Sequence, residues 1–326
     1  MAKRILTDVL GRESYAINSD PHSTQLGLYY FDFQLKPAKL NRLIADFDSE
    51  GIPLNTTYID VAEKKLHYYP ITIGQFGLAV YNDYIRTKNE EQKQYFLRIS
   101  RWFYNNRKTD AKFGFYWLTD VEKPEYHVFS PWKSAFSQSR AISILLRAWQ
   151  ISGETKYYEA AKLALEPFKY DISDGGVSAY AHNGHPFYEE YVAAEPTMVL
   201  DGHIFSLFGL YDFVRAVSSD LDPQAHKLAA NLFHKGIDSL IYWLPEFDIG
   251  FWLRFNLCKM SHYPEIDPCT IGYLRLILRQ LSVLFLITEN KSIIQYKRKF
   301  EQYDVIKNYF KVYRLKYKAL QELNRV

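Results

Sequence analysis

SAFSQSRAISILLRAWQISGETKYYEAAKLAL, residues 134–165, holds two kinds of helix back to back. The first half is apolar on several faces, through Phe136, Ile142, Leu145, Leu146 and Trp149. A short polar turn, ISGETK, follows, and YYEAAKLAL from Tyr157 then carries a single apolar face. A helix apolar all round is buried, and an amphipathic one covers it. The same layout recurs in ITIGQFGLAVYNDY from Ile71, MVLDGHIFSLFGLYDF from Met198 and TIGYLRLILRQLSVLFLI from Thr270, each followed by a polar turn (RTKNEEQ, SSDLDPQA, ENKS). The starts lie 63 to 72 residues apart, a long but regular period for a helical array. This predicts a mainly α fold, an (α/α) toroid of about four helix hairpins. Residues 71–326 are read as that toroid, ending in a basic helix, and residues 1–70 as a strand, hairpin and helix segment packing on it.

The connections into the apolar helices are long and strand-like. TTYIDVAEKKLHYY and KFGFYWLTDVEKPEYHVF alternate around charged turns, VSAYAHNGHPFYEEY has Asn183-Gly184 at its centre, and FDIGFWLRF precedes the fourth apolar helix. Asn-Gly is a strong two-residue hairpin signal. All four enter from one end of the ring, so β-hairpin insertions should gather at one mouth, where a rigid scaffold usually carries its chemistry.

Aromatic residues reach 17%, with 27 Tyr, and a minority of them should line a cleft that stacks on sugars. Cys258 and Cys269 are too few for a disulfide framework and lack CxxC spacing. The nine histidines show no HxxxH or HxH spacing, so no metal is expected. MAKRILTDVLGRESYA has no apolar stretch of signal-peptide length, and Arg279 interrupts the most apolar helix. A cytoplasmic setting is expected, with no membrane or nucleic-acid partner and a homodimer left open. Residues 291–326 carry ten Lys and Arg against Glu301, Asp304 and Glu322, which reads either as a polyanion patch or as a solvated helix face. GxGxxG, GxxxxGK[ST] and GxSxG are all missing from the sequence.

At the mouth, the third connection holds Tyr188, Glu189, Glu190 and Tyr191. In a strand the two glutamates point to opposite sides, so one reaches the cleft and the other faces solvent. The plainer alternative is two solvated glutamates on a hairpin edge. The fourth connection brings Trp252, Arg254, His262, Tyr263, Glu265 and Asp267, where Arg254 suits a carboxylate or pairs with an acidic neighbour. Tyr69, Thr72 and Gln75 open the first apolar helix, and Trp132, Lys133, Ser134, Gln138 and Arg140 open the second.

These segments resemble the D-glucuronyl C5-epimerases. The matching pieces are GIPLNTTY from Gly51, HYYPITIGQFGL from His67, SAFSQSRAISILLRAW, FYEEYVAAEPTMVLDGHIFSLFGLYDF from Phe187 and, more weakly, FDIGFWLR from Phe247. The resemblance runs from about Gly51 to about Leu281 and implies the same toroid. It implies that Glu190 and Tyr191 are active-site residues and that Arg254 binds a uronate carboxylate. It also places Tyr69, Gln75, Ser134 and Ala135 on the substrate. Asp201 stands where the family has asparagine, Phe205 where it has tyrosine, and Thr72 where it has glutamine. The family's catalytic tyrosine before the fourth apolar helix aligns with Ile266, and Tyr263 is the nearest replacement. The β-barrel of the animal enzymes, and with it their calcium, is not expected.

The implied reaction removes the C5 proton of D-glucuronate in an acidic polysaccharide such as heparosan and returns one from the other face, giving L-iduronate. No cofactor is required when two positioned groups do this, each contributing about 10² to 10⁴-fold. Glu190 is the candidate on one face and Tyr191 or Tyr263 on the other, with Arg254 or Lys133 to help a tyrosine ionise. Lys133, Gln138, Thr72, Asp201 and Trp252 complete the candidate binding set. The rivals are a glycoside hydrolase or polysaccharide lyase on a uronate polymer, and a non-catalytic polysaccharide-binding protein.

Overall fold

The computed structural model describes residues 16–18, 20–33, 44–58, 60–181 and 184–325. The chain is mainly helical, with nine α-helices among these residues. In order they are α1 (Pro70–Thr87), α2 (Glu90–Asn106), α3 (Ala135–Ser152), α4 (Thr155–Leu163), α5 (Leu200–Ala216), α6 (Pro223–Phe247), α7 (Ile271–Thr288), α8 (Lys291–Glu301) and α9 (Ile306–Glu322). Their ends follow local chemistry. Pro70 and Pro223 sit at first-turn positions, where a missing N–H costs nothing, and Ser134, Asp222 and Thr270 cap α3, α6 and α7. Gly153 closes α3 in the left-handed conformation that glycine favours.

The two expected helix types are present. From Ala135 to Ala148 every residue of α3 is buried, and α5 is nearly as enclosed, whereas α2 buries only Phe96, Ile99, Ser100 and Phe103. Each buried helix packs on the helix that follows it, and α1 packs on α3, α3 on α5 and α5 on α7. A Cβ on Gly209 would lie 2.5 Å from the Ser139 Cα, so α5 and α3 touch backbone to backbone there. Helix α7 is long and apolar enough by composition to cross a bilayer, and it packs against α5 and α8.

The stretch Leu26–Phe33 runs among the buried helices. The Asn82 side chain of α1 bonds the Tyr29 N–H and the Phe31 carbonyl, while Arg140 of α3 donates to the Tyr29 hydroxyl at 2.5 Å. Tyr30 donates to Asp212 of α5 at 2.9 Å, and His22 meets the Leu286 carbonyl of α7 at 3.0 Å. Asp212 also takes Arg147 at 2.6 Å and Arg215 at 3.0 Å with no exposure of its own. Deleting one partner of such a buried set typically costs about 3–5 kcal/mol. The helix segment expected before residue 70, and Asn183 of the third hairpin, fall outside the described residues.

Among the described residues, three small sheets occupy the connections. Strands β1 (Ile44–Phe47), β2 (Pro53–Thr56) and β3 (Leu66–His67) form one, with Thr56 opposite Leu66. β4 (Lys108–Asp110) pairs with β5 (Gly114–Tyr116), and β6 (Ser178–Ala181) with β7 (His185–Tyr188). The fourth connection makes only isolated bridges, Asp248 with Leu253 and Arg254 with Pro268. The Ala135 N–H donates to the Glu189 carbonyl at 2.8 Å, Val199 bridges Asn256, and Tyr69 meets Trp132 ring to ring, so the four connections are knitted together.

Candidate active site

The β6–β7 hairpin delivers Glu189 and Glu190 to the start of α3, and the structure corrects the expectation that one of them faces solvent. Both are buried. Glu189 is a clamp: it accepts from the Thr197 N–H at 3.0 Å, the Thr197 hydroxyl at 2.6 Å and the Met198 N–H at 3.0 Å. Burial pushes its carboxyl up to about 7 against those hydrogen bonds. Glu190 turns the other way, onto the first turn of α5, where a Cβ on Gly202 would come within 2.5 Å of its carboxylate oxygen. Burial raises Glu190 to about 7 as well, partly offset by a hydrogen bond from Tyr191 and by the charge of Lys123. Asp201, beside it, is pushed well above the carboxylate range by burial and by Glu190, and its Oδ1 has no hydrogen-bond partner. Two adjacent buried carboxyls cannot both ionise cheaply, so Asp201 is the one that keeps its proton.

A wall of aromatic rings faces Glu190. Tyr191 stacks on Tyr126 at 5.2 Å, Tyr126 on Tyr263 at 5.2 Å, and Trp132 tilts against Tyr191 at 5.4 Å. The Tyr58 hydroxyl donates to that of Tyr69 at 3.0 Å, and both bond the hydroxyl of Tyr191. Burial, then the nearby Glu190, holds Tyr191 well above its usual range, so these phenols are neutral donors. Lys123, from the turn before the 3₁₀ segment Pro124–Tyr126, lies 4.0 Å over the Tyr58 ring and 5.1 Å over the Tyr191 ring. It pairs with Glu125 at 2.5 Å. Glu125 also takes Arg325, and Arg325 reaches Asp60 at 3.5 Å. The C-terminal segment therefore closes over this edge of the site.

The other candidates divide. Tyr69 and Thr72 are buried with the cluster, Thr72 accepting from Asn55 at 3.0 Å, and Gln75 is half-buried in the second turn of α1. Tyr263 donates to Asp267 at 3.0 Å, accepts from Asn256 at 2.6 Å and meets the Tyr126 hydroxyl at 3.3 Å. Ser134 is spent as the α3 cap, and the Ala135 N–H holds Glu189. Gln138 is tied to Trp117, Phe115 and Ala164 through three backbone bonds, and Trp252 is fully buried on the Cys269 carbonyl. Lys133 donates to the Gly175 carbonyl over the rings of Phe113 and Tyr116. Arg254 donates to the Glu265 carbonyl, and no described contact joins it to Glu190 or Tyr191.

Sequence reasoning missed Lys123, Tyr58, Tyr126, Asn256 and Arg325. The only local signal for Lys123 was a lysine two residues before a glutamate and three before a tyrosine in a strand-like connection. Among the described residues, half of the ten tail cations make ion pairs: Lys299 with Asp248, Lys316 with Asp267 and Arg325 with Glu125, besides Lys297–Glu301 and Lys318–Glu322 within helices.

A family model described as D-glucuronyl C5-epimerase C-terminus matches residues 109–302. A D-glucuronyl C5-epimerase of Caenorhabditis elegans is 30% identical over 196 residues, covering 57% of this chain and 31% of the relative. An uncharacterised protein of Methanocaldococcus jannaschii is 25% identical over 190 residues, 57% of either chain. The chain thus spans 31% and 57% of these two relatives' lengths.

Proposed function

Because the chain belongs to the D-glucuronyl C5-epimerase C-terminus family, we propose that it inverts C5 of D-glucuronate units in an acidic polysaccharide of the heparosan type. The carrying observation is Glu190, a buried carboxyl raised to about 7 and bonded to Tyr191 within a wall of neutral phenols. A base titrating near the working pH is best suited to take a weakly acidic carbon-bound proton. Glu190 removes the C5 hydrogen, the electron pair spreads into the uronate carboxylate, and fixed cations and phenol donors stabilise the charge that develops there. Arg254, at the family's carboxylate-binding position, is assigned to that carboxylate, which draws it off the Glu265 carbonyl. Tyr191 and Tyr69 hold the ring, and Tyr263 stands nearest the family's second tyrosine. Helix pairs packed in succession, with Leu26–Phe33 bonded to α1, α3 and α5 and His22 to the Leu286 carbonyl of α7, support the (α/α) toroid as the scaffold.

The test is incubation with heparosan in deuterated water. Deuterium entering C5 with iduronate appearing, at unchanged chain length and without ultraviolet absorbance, supports the reading. A new absorbance with chain cleavage makes the protein a lyase, and added water at a cleaved bond makes it a hydrolase.

A further inference from the structure

Inversion needs a second proton-transfer group, because a base held on one side of a ring cannot reach the other. The tyrosine nearest the family position is poorly placed for this: the Tyr263 hydroxyl already donates to Asp267 and accepts from Asn256. Burial and the Asp267 charge drive its titration well above the ordinary phenol range. From the arrangement around Tyr58 and Tyr191, we propose that Lys123 is the proton-transfer group facing C5 from the side opposite Glu190. This rests on the epimerase reading.

The two groups come from different walls. Glu190 lies on Gly202 at the start of α5, and Lys123 lies over Tyr58 of the first connection. Tyr191 touches both, bonded to Glu190 and with its ring centre 5.1 Å from the Lys123 ammonium. Lys123 is 4% exposed, and its one ion-pair partner, Glu125, is shared with Arg325. Glu125 lies between Lys123 and Arg325, and Arg325 also reaches Asp60, so the Lys123 ammonium shares its carboxylate with a second cation. Burial, then Arg325, with Lys316 adding to them, lowers Lys123 to about 7 against the pull of Asp60 and Glu190. It thereby matches Glu190, so either group can hold or release a proton at neutral pH.

In one direction the Glu190 carboxylate takes H5, the C5–H electron pair delocalises into the uronate carboxylate, and the Lys123 ammonium places a proton on the opposite face of C5. The cycle leaves Glu190 protonated and Lys123 neutral. The reverse reaction, or proton exchange of both groups with water, restores them, and no oxidant or reductant takes part.

Lys123→Met keeps the stem without a titratable group, and Lys123→Arg keeps the charge but not the ability to lose it. Both variants and the wild type are incubated in deuterated water with heparosan and, separately, with desulfated heparin as a source of iduronate. We expect both variants to lose inversion by about 10²-fold or more. Each should keep C5 exchange on the one epimer that Glu190 serves and lose it on the other. If Lys123→Arg inverts within threefold of wild type, Lys123 is structural and the proposal falls. It falls equally if both epimers still exchange in Lys123→Met, or if Tyr263→Phe alone abolishes inversion. Should Lys123→Met fail to fold, Lys123→Arg decides. A wild type that exchanges neither epimer overturns the epimerase reading, and the Lys123 role with it.

Discussion

Replacing Glu190 with glutamine should abolish activity and make the protein more stable at alkaline pH, and both effects follow from one buried carboxyl. An unperturbed glutamate releases its proton at 4.5, whereas Glu190 in the fold holds it to about 7. Between those values the folded state binds more protons than the unfolded one, so stability falls as pH rises through the window; above about 7 the loss is complete. A displacement of this size corresponds to about 3 kcal/mol carried as destabilisation by the ionised residue. Glutamine resembles the protonated acid and removes that penalty. With an unfolding entropy of about 2 cal/mol/K per residue, the melting midpoint of a chain this long should rise about 5 °C at pH 8. At pH 5, where folded Glu190 is already protonated, the two proteins should melt much closer together. Thermal unfolding of wild type and Glu190→Gln at both pH values, with C5 exchange measured in parallel, checks this. A midpoint that falls at pH 8, or rises equally at both pH values, refutes the assignment of a strained, buried base.

Glu189→Gln sets an amide N–H₂ among the Thr197 and Met198 donors and should destabilise by about 2 kcal/mol in urea titration at pH 5, where Glu189, raised to about 7 by burial, is already protonated and glutamine removes no charge penalty. Gly202→Ala pushes a methyl into the Glu190 carboxylate, so exchange at C5 should fall at least about tenfold, a loss of about 1.4 kcal/mol in barrier terms, while circular dichroism stays unchanged. Arg254→Lys keeps the charge but loses the planar fork, and it should cost activity mainly through weaker uronate binding, read as a raised KM. Asp212→Asn strands Arg147 and Arg215 in the core and should cost about 3–5 kcal/mol without touching the site.

The helix pairs were legible because burial on all sides and burial on one side leave different patterns along the chain, and α3 against α2 shows that contrast. The hairpins were legible through alternation, although the second connection spreads into β4–β5 and a separate turn at Lys123–Val128. Alternation gave Glu189 and Glu190 opposite directions correctly, but it could not say that both directions are covered. Glu189 is enclosed by Thr197 and Met198, and Glu190 by the start of α5, contacts that only tertiary packing supplies. Gln138 looked like a cleft residue from its place at a helix start, and Trp252 from its place in the fourth connection. Both instead satisfy backbone groups in the wall, which a polar or indole side chain beside a loop often does. Lys123 was invisible because the Arg325 that shares its carboxylate lies some two hundred positions away in sequence. The tail read either as a polyanion patch or as a solvated helix face, and its ion pairs were not foreseen because each acidic partner of Lys299, Lys316 and Arg325 belongs to another segment.

The central claim is that a carbon-bound proton is exchanged at Glu190, and one experiment bears on it directly. Wild type and Glu190→Gln, each confirmed folded, are incubated with heparosan in deuterated water, and C5 is followed by nuclear magnetic resonance. The account predicts deuterium at C5 and rising iduronate with the wild type, and neither with Glu190→Gln. Exchange that persists in Glu190→Gln, or a wild type that leaves C5 of every uronate polymer untouched, would contradict it.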